Sequence, residues 1–263
     1  MRTGSRRIRR GALRGGGLLL LGLAPATAEP AKAAPESVAT ALVVSVDVSQ
    51  SVDDARFRLQ MEGIAEALED PSVLGAITGN PGGILFAMVT WADRANLAVG
   101  WRRIAGRADA VTTAALVRAT PQQAGEFTCL GQMFRTVTAG VLPALPVAAE
   151  RVVIDVSGDG IANCTDADSL GDAHEALLAT GATVNGLPIL VPGENDVVGA
   201  GAYRAPGCGL QATPLPQERT SLEQWYRAHV IGGPGAFLLA AGYGDFSRAR
   251  RRKFVIEISA LGL

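Results

Sequence analysis

Residues 41–51, ALVVSVDVSQS, decide how the rest of the chain is read. The run from Ala41 to Val48 is apolar on both alternating faces, apart from Ser45 and Asp47. A strand half-exposed to water alternates apolar with polar, whereas a strand buried on both faces does not. The run therefore reads as a strand of a sheet covered on both sides. Asp47-Val48-Ser49-Gln50-Ser51 lies where that strand runs out. Alternate residues of an extended segment point the same way, so Asp47, Ser49 and Ser51 can present three oxygens to one point.

Working outward, similar apolar runs occur at 84–91, 96–101, 151–157, 182–190 and 236–241. Helical spacing separates them. In 52–69 the residues Phe57, Met61, Ile64, Ala65 and Leu68 recur on one face, and Ser51 with Asp54 reads as a capping-box start. Further helices are expected over 107–119, 129–142, 166–180, 221–230 and 243–258. Strand–helix alternation of this kind predicts an α/β, doubly wound, mostly parallel sheet with helices on both faces. The 96–101 run follows 84–91 after a very short turn, so it is expected to be an antiparallel edge strand. Residues 192–220 are rich in Gly, Pro and Ala, show no period and read as a surface insertion. No internal repeat is visible.

In an open α/β sheet, ligands bind beyond the carboxyl ends of the strands. Ser157-Gly158-Asp159-Gly160 ends the 151–157 run, and its glycines allow a sharp turn that exposes Asp159. Glu126-Phe127-Thr128 brings another hydroxyl to a helix start. Asp47, Ser49, Ser51, Thr128 and Asp159 form an all-oxygen set, suited to a hard divalent cation, Mg2+ first, with Mn2+ or Ca2+ as alternatives, and not to zinc. With few charged ligands the cation keeps positive character for water or an incoming carboxylate. A nearby base with a clear claim to catalysis is missing. The chain is thus expected to be a binding protein and not an enzyme. A metal-dependent phosphoesterase and a metal-free scaffold are the alternatives.

Composition narrows the field. The chain has 263 residues, 48% hydrophobic and 19% charged, enough apolar material for a full core and too little charge for a disordered chain. The net charge of -1 conceals an asymmetry: residues 1–28 hold six arginines and no acid. Without them 18 basic residues face 25 acidic ones, a balance of -7. An acidic body argues against nucleic acid as a partner. Arginines over 2–14, a short apolar run over 15–25 and Ala26-Thr27-Ala28 are the three parts of a secretory signal peptide, with Arg9-Arg10 partly matching a twin-arginine pattern. The apolar run is too short to span a bilayer. The expected location is periplasmic or secreted, with 29–40 as a linker, 41–258 as the domain and no transmembrane span in the mature chain.

The motifs DVSQS, FTCLG and SGDG resemble the metal-ion-dependent adhesion site of von Willebrand factor A domains. The span 41–258 further resembles a bacterial exported family of unknown function within that superfamily, through VDVSQSVDDARFRLQ, RVVIDVSGDG, NGLPI, WYRAHVIGGPGAF and RRKFVIEIS. The resemblance implies Asp47, Ser49, Ser51, Thr128 and Asp159 as metal ligands and a partner protein that offers a carboxylate. In one departure, Glu126-Phe127 stands where many A domains carry a Gly-rich or Ser-Gly stretch. If Thr128 and Asp159 meet at one ion, Cys129 and Cys164 come close, which implies a Cys129–Cys164 disulfide; Cys164–Cys208 is the rival pairing. Asp155, inside a buried strand, must be hydrogen-bonded and is expected in a structural network. Trp225 and Tyr226 are expected in the core or an interface, His229 as a packed helix residue, and the basic run 248–253 as a solvated helix face.

Overall fold

The computed structural model describes Met1 and residues 37–123, 125–164, 167–198, 202–204, 212–214 and 220–259. The chain divides into two units, Met1–Ala33 and Ala34–Leu263, and every element below belongs to the second. Residues 2–28 of the span read as a signal peptide, 29–36 of the span read as a linker and much of the span 192–220 lie outside the described residues.

Five strands form the main sheet: β1 (Ser37–Asp47), β2 (Ile84–Trp91), β3 (Ala95–Ile104), β4 (Ala148–Gly158) and β5 (Thr183–Pro188), in the order β3-β2-β1-β4-β5. β1 pairs parallel with β2 and β4, β4 parallel with β5, and β3 antiparallel with β2 at the edge. Helices α1 (Asp54–Glu69), α2 (Pro71–Thr78), α3 (Arg107–Arg118) and α7 (Phe246–Ile258) accompany one face. Helices α4 (Leu130–Thr136), α5 (Ala167–Leu178) and α6 (Leu222–His229) accompany the other. The missing in/out alternation of β1 now has its cause: Leu42, Val44 and Val46 pack toward the first set of helices, Val43 toward the second, and all four are fully buried. Trp225 and Tyr226 lie in the second core, and the His229 ring stacks 5.0 Å from Trp225.

Four expectations need correction. First, β1 begins at Ser37, so residues 37–40, read as linker, are strand. Val38 and Thr40 are buried there, and Ser37, Val38 and Thr40 register with β4. Second, 236–241 is not a regular strand. It runs beside β5 through isolated bridges Gly186↔Leu238 and Ile189↔Ala241. Pro188 lacks the N–H that would continue the ladder between them, and Asn185 Oδ1 takes the Phe237 N–H at 3.0 Å. Third, α1 is capped by Asp53, which accepts the Arg56 N–H at 2.8 Å, and not by Ser51. The Ser51 side chain is engaged elsewhere, as described below. Fourth, the basic run 248–253 is not wholly a solvated face. Arg250 and Lys253, one helical turn apart, are fully buried against β4.

What compensates those two cations is Asp155, itself fully buried. It pairs with Arg250 and, at 2.9 Å, with Lys253; Lys253 also pairs with Glu257. Asn185 Nδ2 donates to Glu257 Oε1 at 2.9 Å. Burial raises the Asp155 carboxyl, but Arg250 and then Lys253 outweigh it and hold it low. For Glu257, burial and the Asp155 charge prevail over Lys253 and push the carboxyl up to about 7. This quartet ties α7 to the middle of the sheet. Within the insertion, 202–204 (β6) pairs antiparallel with 212–214 (β7), and Val198 bridges Thr220. Among the described residues, no helix is long and apolar enough to cross a membrane.

Candidate metal site

Three loops at the carboxyl edge of β1 and β4 bring the five singled-out side chains together. Asp47 is the last residue of β1 and fully buried. Its carbonyl accepts from Gln60 Nε2 of α1 at 3.2 Å, and its Oδ1 accepts the Ser49 N–H at 2.9 Å. The Val48 N–H continues the ladder to the Trp91 carbonyl, so the strand direction is kept as far as Ser49. Ser49 Oγ lies 3.4 Å from Ser51 Oγ and accepts from Thr128 Oγ1 at 3.2 Å. Ser51 Oγ donates to Asp159 Oδ1 at 2.5 Å, which is where its hydroxyl goes instead of capping α1. Ser49, Thr128 and Asp159 are buried, and Ser51 is exposed at the mouth.

The loop that carries Thr128 packs Gly125 close against Ala92 and is held by side-chain acceptors. Asp93 Oδ1, just after β2, accepts the Glu126 and Phe127 N–H groups at 2.9 and 2.6 Å. Asn163 Oδ1 accepts the Thr128 N–H at 2.7 Å, and the Asn163 N–H returns to the Thr128 carbonyl. A disulfide joins Cys129 to Cys164 with the Cα atoms 5.2 Å apart, so the Cys164–Cys208 rival falls away. The Glu126-Phe127 departure from the adhesion-site pattern is thus made good by a side-chain carboxylate from the neighbouring loop.

Asp159 is fixed at both ends. Tyr243 OH donates to Oδ2 at 2.9 Å, and Asn195 Nδ2 donates to the Asp159 carbonyl at 2.7 Å. Arg56 Nη1 stands 3.8 Å from Oδ2. Asp93, Asn163, Asn195, Tyr243 and Arg56 were not recognised in the sequence. Only Asp93 carried a local hint, as an Asp in the loop directly after a buried strand.

The donor set fits a hard cation. Asp47 Oδ2 is buried without a hydrogen-bond partner, which for a carboxylate oxygen is costly. Burial, then the Asp159 charge, pushes Asp47 up to about 7 against the opposing Ser49 hydrogen bonds. Gly158 leaves room for that oxygen: a Cβ there would stand 2.9 Å from Oδ2 and 2.8 Å from Tyr226 OH. Two carboxylates would attract a divalent cation, and hydroxyls can turn lone pairs toward it. Among the described residues there is no group of three or more His, Cys, Asp or Glu placed to hold a metal; three of the five side chains here are hydroxyls. The nearby tyrosines, Tyr226 and Tyr243, are pushed well above their ordinary values, mainly by burial and then by Asp47 and Asp159 respectively. Beside the cluster a groove of about 470 Å³ is lined by Val48, Ala92, Asp93, Arg94, Asn96 and Gln123.

Comparison with known proteins bears on the fold. Proximal thread matrix protein 1 from the mussel byssus is similar at 14% identity and TM-score 0.55, covering 86% of this chain and 48% of that one. A further structure of that protein, at TM-score 0.54, has a zinc-occupied MIDAS motif. A von Willebrand factor type A structure from Catenulispora acidiphila matches at 14% identity and TM-score 0.54, over 84% of this chain and 43% of the other. The pilus adhesin SpaC from Lactobacillus rhamnosus GG, in an open conformation, matches at 12% identity and TM-score 0.57, over 84% and 30%. The chain thus spans less than half the length of these structures, and the likeness concerns the fold. No curated protein matches the chain. A family profile described as "Protein of unknown function (DUF1194)" matches residues 37–262. With most of its length inside that profile and with this sheet order, the chain belongs to the DUF1194 family and has the von Willebrand factor A fold.

Proposed function

We propose that this chain is an exported binding domain that holds one divalent cation, Mg2+ in the first place, on Asp47, Ser49, Ser51, Thr128 and Asp159, and offers it to a carboxylate of a partner protein. The observation that carries the proposal is the partnerless, fully buried Asp47 Oδ2, on a carboxylate whose Oδ1 holds the Ser49 N–H beside the linked Ser49, Ser51, Thr128 and Asp159 side chains. When bound, the cation supplies a positive centre with a position left for an outside oxygen.

The residues of the chain do the positioning. Gln60 and the Ser49 N–H orient Asp47; Tyr243 and Asn195 orient Asp159; Asp93, Asn163 and the disulfide hold Thr128. A hydrolytic role is less well supported. Tyr226 and Tyr243 keep their protons, and Glu194 is paired with Arg56, which lowers its carboxyl, so each is a poor general base. Export is favoured by the disulfide and by the arginine-rich leader.

Titration calorimetry of Mg2+ into wild type and Asp47→Ala tests the metal, with heat expected for wild type alone. Equal heats would refute it. Pull-down of the partner with and without EDTA tests the second half: recovery should fall with the chelator, and unchanged recovery counts against a cation-mediated contact.

A further inference from the structure

Arg56 stands beside the cluster although a guanidinium next to a cation site works against metal binding. It is the third residue of α1, and its side chain turns back over the site. Nη1 donates to the Ser51 carbonyl at 2.8 Å and lies 3.8 Å from Asp159 Oδ2; the guanidinium carbon sits 5.2 Å from the centre of the Tyr243 ring. Its other arm, Nη2, donates to Glu194 Oε1 at 2.6 Å. Glu194 comes from the segment after β5, and its side chain is 56% exposed. Its carboxyl is held low chiefly by the Arg56 hydrogen bond.

A buried architecture explains the inner contacts of Arg56 but not the outer one. A surface pair of this exposure holds weakly, and the planar five-donor fork is suited to gripping a carboxylate with two oxygens. Building on the cation-and-carboxylate reading above, we propose that Arg56 is a specificity-determining residue of the same site: it grips the acidic side chain of the partner beside the cation. Glu194 is the resident carboxylate that occupies it until the partner displaces it. The preferred ligand is therefore a carboxylate whose two oxygens are shared between cation and guanidinium. A neutral oxygen ligand lacks the charge to compete with Glu194.

The test uses glutarate as the probe, titrated into the whole 15N-labelled protein in Mg2+ and, separately, in EDTA, and read from the Ser49 and Ser51 amide shifts. Mg2+ isotherms are recorded for every variant. Arg56→Gln should weaken glutarate binding on the order of tenfold while Mg2+ binding stays equal or tightens. Glu194→Gln, a change at an exposed position that leaves the packing intact, should tighten glutarate binding roughly threefold. Equal glutarate affinity in wild type and both variants, in both buffers, overturns the proposal, as does a Glu194→Gln protein that binds more weakly. A flat Mg2+ isotherm for wild type refutes the metal instead, and an Arg56-dependent glutarate response in EDTA keeps the two failures apart.

Discussion

Asp47→Asn separates what the site does for binding from what it does to the fold. Asp47 is fully buried, one of its oxygens has no partner, and Asp159 lies in the same cluster. Its carboxyl is lifted from 3.8 to about 7. The folded state therefore favours the protonated form. Above pH 7 the ionised side chain costs the metal-free protein up to about 4 kcal/mol relative to the unfolded chain. A neutral amide of the same shape removes most of that cost. In EDTA at pH 8, Asp47→Asn should thus melt above wild type, by roughly 5–15 °C for a domain of this size. Saturating Mg2+ erodes the advantage: an ion at 1,000 times its dissociation constant stabilises wild type by about 4.1 kcal/mol, enough to cancel it, and the variant hardly at all. Calorimetric or fluorescence melts of the two proteins, with EDTA and with Mg2+, read the closing of the gap. A variant that melts below wild type in EDTA, or an equal Mg2+ shift in both, refutes the reasoning that the oxygen is stored for a cation.

The other predictions concern the fold around the site. Asp155→Asn leaves Arg250 and Lys253 buried with only Glu257 opposite. Urea denaturation should show a loss of about 3–5 kcal/mol, and a loss under about 1 kcal/mol contradicts the buried network. Glu257 holds a proton in the folded state that the unfolded chain releases at ordinary pH, since its carboxyl sits at about 7 and not 4.5. Its share of the stability is full below the unfolded value and fades as the pH rises toward 7. Denaturation midpoints in EDTA should therefore fall from pH 5 to pH 8, less steeply in Glu257→Gln; an unchanged slope in that variant is the contrary result. Asp155, held low, loses its contribution only in stronger acid. The Cys129–Cys164 bridge spans 35 positions, for which chain entropy gives about 4 kcal/mol. The double alanine variant should lose a comparable amount, and peptide mapping without reductant should find Cys208 outside the pair.

Most of the architecture is legible in the sequence because burial leaves a strong mark. β1, β2 and β4 are apolar on both alternating sides, and the spacing of Phe57, Met61, Ile64 and Leu68 matches one face of α1. The short helix α2 went unread despite Pro71 at its first position and the cap from Asp70 to the Ser72 N–H, because eight residues give the periodicity too little length. The residues 236–241 imitate a strand by composition, and the missing N–H of Pro188 and the Asn185 side chain, both on another segment, spoil the ladder. Arg250 and Lys253 look like surface charges until Asp155 is seen to lie beneath them. At the site, Asp47, Ser49, Ser51 and Asp159 announce themselves through local pattern. Asp93, Asn163, Asn195 and Tyr243 act on backbone or carboxylate groups far away in sequence, and a single chain read from end to end holds no sign of such pairings.

The bridge between Cys129 and Cys164 closes α4, the turns after it and all of β4 into one macrocycle, with Asp159 inside the ring and Thr128 one residue outside its staple. A protease that cuts the stretch between α4 and β4 opens this ring but releases neither end. The nicked protein would run as two fragments only after reduction, and until then the threonine and the aspartate remain moored side by side.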